Sequence, residues 1–300
     1  MKYAFFLGCL APVMARQFEL SARKVAEKLG VELIDVEDFA CCGFPIKSVD
    51  QETALLLAAR NLSVAESLGL DICTICTGCA STLTEASKEL MHNDGLRGKV
   101  NEKLRKIGRT YKGNVKVRHF VRILYEDIGP ENIKSQVKKS LEGLRLASHY
   151  GCHYLKPSDV FDKFEDPEFP RTLDVLISVL GAETVEYEDK TQCCGGVILD
   201  VDDKISLAMA QKKLDHVNAM GAEAMVLMCP LCGSVYDRNQ RAIERRFNVA
   251  YNLPVLFYPQ VLGLALGIDP KGLGLDMNRV KTSDLLSKAK SLLDLSLHEN

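Results

Sequence analysis

No apolar stretch in this 300-residue chain reaches the roughly 18 residues that a membrane-spanning helix requires. The opening MKYAFFLGC carries too short an apolar run for a secretory signal, so the cytoplasm is the expected compartment. Neither sign of charge dominates: 38 Lys and Arg against 40 Asp and Glu leave a net charge of −2. Without a bulk positive field, nothing argues for nucleic acid. A Gly-rich nucleotide fingerprint is missing, as is a close-packed ferredoxin-type run of cysteines. Tryptophan is absent too, which excludes nothing.

What the chain has is cysteine, eleven in all. Disulfide scaffolds are small, secreted and poor in core residues, whereas 47 % of this long chain is hydrophobic. In a reducing compartment, clustered cysteines read as metal ligands or redox groups. They fall in a repeat. Cys9, the pair Cys41–Cys42 and the Cys-x-x-Cys of Cys76 and Cys79 recur as Cys152, the pair Cys193–Cys194 and the Cys-x-x-Cys of Cys229 and Cys232. Offsets are 143 for the single cysteine, 152 for the pair and 153 for the last two. The mismatch marks an insertion in the second half, around the Pro- and acid-rich residues 156–170. Cys73 alone lacks a counterpart, because its matching position is Val226; it reads as a core thiol on a strand.

The flanking pattern repeats as well. Short apolar runs at 3–7, 31–36, 71–75 and 115–119 predict strands, and periodic segments at 16–29, 50–68, 80–91 and 121–128 predict helices. The second half predicts strands at 144–149, 183–188, 224–228 and 254–258, with helices at 170–180, 203–220, 234–247 and 260–266. A further helical patch spans 283–297. Alternating strands and helices imply an α/β fold of two pseudo-repeated domains, 1–142 and 143–300, each a mostly parallel sheet flanked by helices. The polar, Lys-rich residues 129–143 are the expected join. All the paired cysteines then lie in loops at the carboxyl ends of strands, where parallel sheets place their ligands.

Thiolates select zinc, copper(I) or the iron of iron–sulfur clusters. A structural zinc ion wants four ligands, yet each half offers five, two of them adjacent in sequence. Adjacent cysteines suit different irons of one cluster better than a single tetrahedral ion. A dithiol reading of either Cys-x-x-Cys leaves six matched cysteines unexplained. The chain therefore reads as holding two iron–sulfur clusters.

Cysteine, 31 residues, Cys-Cys, 33 residues, Cys-x-x-Cys, and its second-half form with 40 and 34 residues, resemble the cysteine-rich CCG domain family. A chain of two such domains with FFLGC, CCG twice, CTGC, GCHYLKPSDV and CPLC resembles the B subunit of heterodisulfide reductase. The resemblance reaches to about residue 267. It implies two noncubane 4Fe-4S clusters, one held by Cys9, Cys41, Cys42, Cys76 and Cys79. The other falls to Cys152, Cys193, Cys194, Cys229 and Cys232. It also implies disulfide reduction, by default of the coenzyme M–coenzyme B heterodisulfide, as one step of methanogenesis. Two clusters facing a cleft would each capture one sulfur as the bond splits.

The same resemblance makes His153 a proton donor to the departing thiolate; the plainer reading is an imidazole that packs in the loop or bonds a cluster sulfur. It implies two electron-delivering partners from the heterodisulfide reductase complex, the flavin- and iron–sulfur-containing A subunit and the iron–sulfur C subunit. Lys47, Lys156 and Lys204 lie near the cysteine loops but read as solvated. Gly43, Gly195 and Gly196 read as turns tight against the metal. GFPIK after the first Cys-Cys pair and GGVILD after the second depart from the family pattern beside the cleft, which leaves other disulfides open as substrates. The competing readings are a non-catalytic electron-transfer subunit of another oxidoreductase complex and a zinc-stabilised scaffold.

Overall fold

The computed structural model describes residues 1–288. It contains two four-stranded, all-parallel sheets of identical topology. The first orders its strands β2 (Glu32–Asp35), β1 (Lys2–Phe6), β3 (Asp71–Thr74), β4 (Val117–His119). The second orders β6 (Glu183–Thr184), β5 (Arg145–His149), β7 (Ala224–Leu227), β8 (Val255–Phe257). In each sheet the strand order reverses direction beside the first strand, which is where open parallel sheets accept ligands at their carboxyl edge.

Helices connect the strands as the repeat requires. In the first half these are α1 (Leu10–Met14), α2 (Arg16–Lys28), α3 (Gln51–Ser67), α4 (Thr77–His92), α5 (Asp94–Leu104) and α6 (Phe120–Ile123). A short helix, α7 (Pro130–Ser135), lies in the expected join. The second half contributes α8 (Cys152–Leu155), α9 (Thr172–Ser178), α10 (Asp203–Ala219), α11 (Pro230–Gly233), α12 (Gln240–Phe247) and α13 (Tyr258–Ala265).

A large core spans both halves, and a smaller one around Phe6, Leu62 and Leu83 belongs to the first half alone. Phe18, Ala22, Val25 and Ala26 of α2 are buried in the same apolar cluster as Val261, Leu262 and Ala265 of α13, on which α2 packs. Phe18 stacks on Phe257 of β8 with ring centroids 4.2 Å apart. Burial of side chains such as Phe18 and Val25 contributes about 1.5–3 kcal/mol each. On the opposite flank α4 of the first half packs on α8 of the second. There Gly151 presses on Thr77 so closely that a Cβ would lie 2.7 Å from its side chain.

Some expectations needed correction. The strand expected over 183–188 pairs only through Glu183 and Thr184, because Tyr187 turns inward to bond the Ser148 carbonyl. The single helix expected over 234–247 is broken, with a π turn at Ser234–Arg238 preceding α12. The 121–128 helix likewise ends in a π turn, Leu124–Ile128. Helix α5 was not expected, since its polar sequence has no clear apolar stripe; Asn93 nonetheless caps it by accepting from Leu96 N at 2.9 Å. The helical patch expected over 283–297 lies largely outside the described residues. Among the described residues, no helix is long and apolar enough to cross a membrane.

Candidate metal centre

The paired cysteines lie on the segments that leave the carboxyl ends of strands: Cys9 and Cys152 after β1 and β5, the Cys-Cys pairs in the loops after β2 and β6, Cys76 and Cys229 after β3 and β7, with Cys79 and Cys232 in the helices α4 and α11 that follow. The Cys-Cys pairs enter matching turns. Gly43 takes φ +94°, and a Cβ there would meet the Ala54 carbonyl oxygen at 2.6 Å, so only glycine fits. Its N–H points at Cys41 Sγ at 3.4 Å, as Gly195 N–H points at Cys193 Sγ at 3.4 Å. Each turn continues as a 3₁₀ segment, Phe44–Ile46 or Gly196–Ile198. Asp50 and Asp202 then cap α3 and α10 in the same way. GFPIK and GGVILD thus differ in wording but trace one path.

The thiols form two groups that meet. In the first, Cys9 faces Cys41 and Cys42 electrostatically, and Cys42 interacts with Cys79, which interacts with Cys76. In the second, Cys152 Sγ lies 3.9 Å from Cys193 Sγ, and Cys193, Cys194, Cys232 and Cys229 follow as successive neighbours. Cys76 and Cys229 interact across the boundary between the halves. Cys73 stands apart, fully buried on β3, its thiol pushed up by burial alone.

Neighbouring thiols cannot all ionise unaided, so they split. Contact with Cys79 lowers Cys42 to about 7; contact with Cys152 lowers Cys193, and contacts with Cys232 and Cys76 lower Cys229. Their partners Cys152, Cys79 and Cys232 are pushed up correspondingly. Ten thiolates packed this way call for cationic metal between them. Among the described residues, no three His, Cys, Asp or Glu side chains converge on one point as a lone ion needs. Five thiols to a set exceed the four that one tetrahedral ion takes and fit a cluster of several irons.

Donors at the back of the second group strengthen that fit. His149 Nδ1 lies 3.3 Å from the Lys213 ammonium, which can only donate, so Nε2 carries the imidazole hydrogen. That Nε2 is buried without a partner among the described residues, as is the hydroxyl of Tyr236. The two rings meet edge to face at 5.1 Å. His149 feels the charges of Cys229 and Cys193, and Tyr236 those of Cys194 and Cys232. A sulfide-rich group held by these cysteines would supply the missing acceptors. Burial lowers Lys213 to about 8 while the surrounding thiolates pull it back up, so it stays a cation near neutrality.

His153 lies on α8, half-buried, its ring edge-on to Phe44 of the other half at 4.7 Å. Burial lowers its pKa, and Lys47 and Glu85 of the first half, themselves ion-paired, act on it electrostatically. Lys156 pairs with Glu168 at 2.8 Å on the surface, and Lys204 is exposed. Cys9 and Cys41 line a cleft of about 430 Å³ with Pro12 and Phe39. A larger cavity of about 780 Å³, beside Lys190 and Thr191, contains no cysteine.

Reading the cysteines alone passed over His149, Lys213 and Tyr236. The repeat offsets were the available signal: they set Lys213 over Asn61, two polar residues on the buried face of matching helices.

A duplicated α/β unit with thiols at its strand ends defines a class, and the family described as "Cysteine-rich domain" matches residues 3–84 and again 146–236. The chain belongs to the family of heterodisulfide reductase B subunits. It is 38 % identical, over 96 % of both chains, to the B subunit of the ferredoxin/F(420)H(2)-dependent CoB-CoM heterodisulfide reductase of Methanosarcina acetivorans. It is 32 % identical, over 95 % of this chain and 99 % of the other, to the 8-methylmenaquinol:fumarate reductase membrane anchor subunit of Wolinella succinogenes. In fold it resembles a hypothetical protein from Helicobacter pylori, with a TM-score of 0.73 and 18 % identity over 93 % of this chain and 52 % of that one. The chain is an iron–sulfur subunit of an oxidoreductase complex.

Proposed function

We propose that this chain is the catalytic subunit of a heterodisulfide reductase complex, reducing a disulfide at two noncubane four-iron clusters. Cys9, Cys41, Cys42, Cys76 and Cys79 hold the first, and Cys152, Cys193, Cys194, Cys229 and Cys232 the second. One observation carries the reading: two equivalent five-thiol sets meet at one boundary through Cys76 and Cys229. The division at 142/143, between the two sheets, belongs to the same reading.

When bound, the clusters supply single electrons, two of which split an S–S bond. Two protons complete the conversion of one disulfide to two thiols. His153 delivers one of them and solvent the other. Burial disfavours its imidazolium, making it a stronger acid but a scarcer one, and the Phe44 ring lies edge-on against it. The A and C subunits of the complex deliver the electrons, since this chain carries no nucleotide fingerprint. The coenzyme M–coenzyme B heterodisulfide, named for the Methanosarcina relative, is the first substrate to try.

The Wolinella relative favours a second reading, an electron-transfer subunit of a complex acting on another substrate. Protein purified without oxygen separates the two. The catalytic reading expects iron and acid-labile sulfide, disulfide-dependent oxidation of a reduced viologen, and a cluster signal that changes when thiol is added. His153→Ala should lower kcat about 10²–10⁴-fold. Full iron content with neither turnover nor a thiol-dependent signal points to the relay. Zinc without sulfide would sink both.

A further inference from the structure

The repeat lets each residue behind one thiol set be compared with its equivalent behind the other. Lys213 on α10 corresponds to Asn61 on α3, both fully buried and both turned toward the strand that leads to a Cys-Cys pair. Their tasks match in part. Asn61 Nδ2 donates to the Cys41 carbonyl at 3.0 Å, and its Oδ1 accepts from Ala40 N–H at 2.9 Å. Lys213 Nζ donates to the Gln192 carbonyl at 2.8 Å and contacts the Lys190 carbonyl at 3.4 Å. Both thus tie the backbone just ahead of the pair. Only Lys213 brings a charge.

The contrast extends to the neighbours. His149, at the end of β5, corresponds to Phe6 at the end of β1, in the same register against the third strand of each sheet. Tyr236 corresponds to Leu83. Behind the second set stand an ammonium and two buried donors without partners among the described residues, His149 Nε2 and the Tyr236 hydroxyl. The equivalent positions behind the first set hold an amide, a phenyl ring and an isobutyl group. A chain that needed only a structural tie would keep the cheaper amide, because burying an ammonium costs several kcal/mol unless negative charge answers it.

We infer that Lys213, supported by His149 and Tyr236, makes the second thiol set the electron-holding site of the pair, its cluster reduced at a higher potential than the first. An added electron deepens the negative charge on sulfur, and a fixed cation with donors nearby stabilises that charge. One electron enters from an external reductant, which is oxidised by one electron. No bond breaks and no proton leaves Lys213. The inference rests on the two-cluster reading above. Lys213 is a positioning residue, acting on the cluster through space.

Redox potentiometry followed by electron paramagnetic resonance, on the anaerobically purified iron-loaded chain, tests it. Wild type should show two midpoints. Lys213→Gln keeps a donor to the Gln192 carbonyl but removes the charge. It should lower the higher midpoint by at least a tenfold change in the reduction equilibrium, about 59 mV for one electron, and leave the other unmoved. The reciprocal Asn61→Lys should raise the lower midpoint, and it decides the matter if Lys213→Gln loses iron. Midpoints unmoved in both variants at full iron content overturn the inference alone. Wild-type protein that binds neither iron nor sulfide brings down the cluster reading and this inference with it.

Discussion

The two halves superpose in everything that aims a cysteine. They share strand order, the positive-φ glycine after each Cys-Cys pair, the N–H···S contact at 3.4 Å and the Asp cap that starts the next helix. They part in what stands behind and in front of the thiols. Behind, Phe6, Asn61 and Leu83 face His149, Lys213 and Tyr236. In front, Cys9 is exposed at an open cleft, whereas Cys152 begins a short helix followed by the inserted residues 156–170. Even the glycines that precede these two cysteines differ in task. A Cβ on Gly8 would strike Cys79 Sγ of its own half, and one on Gly151 would strike Thr77 of the other. Position is held fixed by backbone geometry that Asn61 and Lys213 both tie, and character diverges through the charge and donors those side chains bring.

That comparison can be broken most forcibly at the thiols. If the sets are separate, Cys42→Ala and Cys194→Ala should each remove about half the bound iron and leave the other spectrum intact, since each cluster depends on its own thiolates. Loss of all iron from either variant would merge the sets into one centre. Next in size is the core, where Leu62 and Leu214 are equivalent and both fully buried. Leu62→Ala and Leu214→Ala should each cost about 2–5 kcal/mol, the larger loss falling on Leu214 in the core that spans both halves, measured by urea denaturation. A larger loss at Leu62 than at Leu214 would break that order.

The smallest effect sharpens the contrast at the last strands, where His119 ends β4 and Phe257 ends β8. Burial lowers His119 to about 4, against about 6.5 in an unfolded chain. Its neutral ring bonds the Met228 carbonyl at 3.0 Å, across the boundary. The folded-state value is depressed, so this stability is complete above pH 6.5 and is lost as pH falls from 6.5 towards 4. The slope is about 1.4 kcal/mol per pH unit. His119→Phe should flatten that stretch of the stability profile. An unchanged profile would remove His119 from the acid response.

Much of this was legible beforehand. The alternation of apolar runs and periodic segments places all eight strands, and the cysteine offsets place every thiol of the two sets at a strand end. Period-based reading failed where tertiary contacts overrode local preference. Strand β6 stops after two residues because Tyr187 is drawn inward. The helix following Cys229 opens into a π turn where Asp237 swings to accept from Arg279 and Val280 N–H. The meeting of Cys76 with Cys229 was out of reach, because no local pattern records which faces of two sheets oppose each other. The buried Lys213 was hidden for another reason: a lysine on a helix ordinarily faces water, and only its overlay on Asn61 marks it as inward.

The pairing of α2 with α13 bears on how this protein is made. Residues 16–28 rest on α1 and β2 of their own half but lack their α13 cover until residues 258–265 exist. A ribosome adding about 5–20 residues per second leaves the amino-terminal unit waiting on the order of tens of seconds. For most of that interval Cys76 of the first thiol set also lacks Cys229, its neighbour across the boundary. Metallation of that set and completion of the chain are therefore coupled in time, with cluster-assembly factors meeting a half-built neighbour.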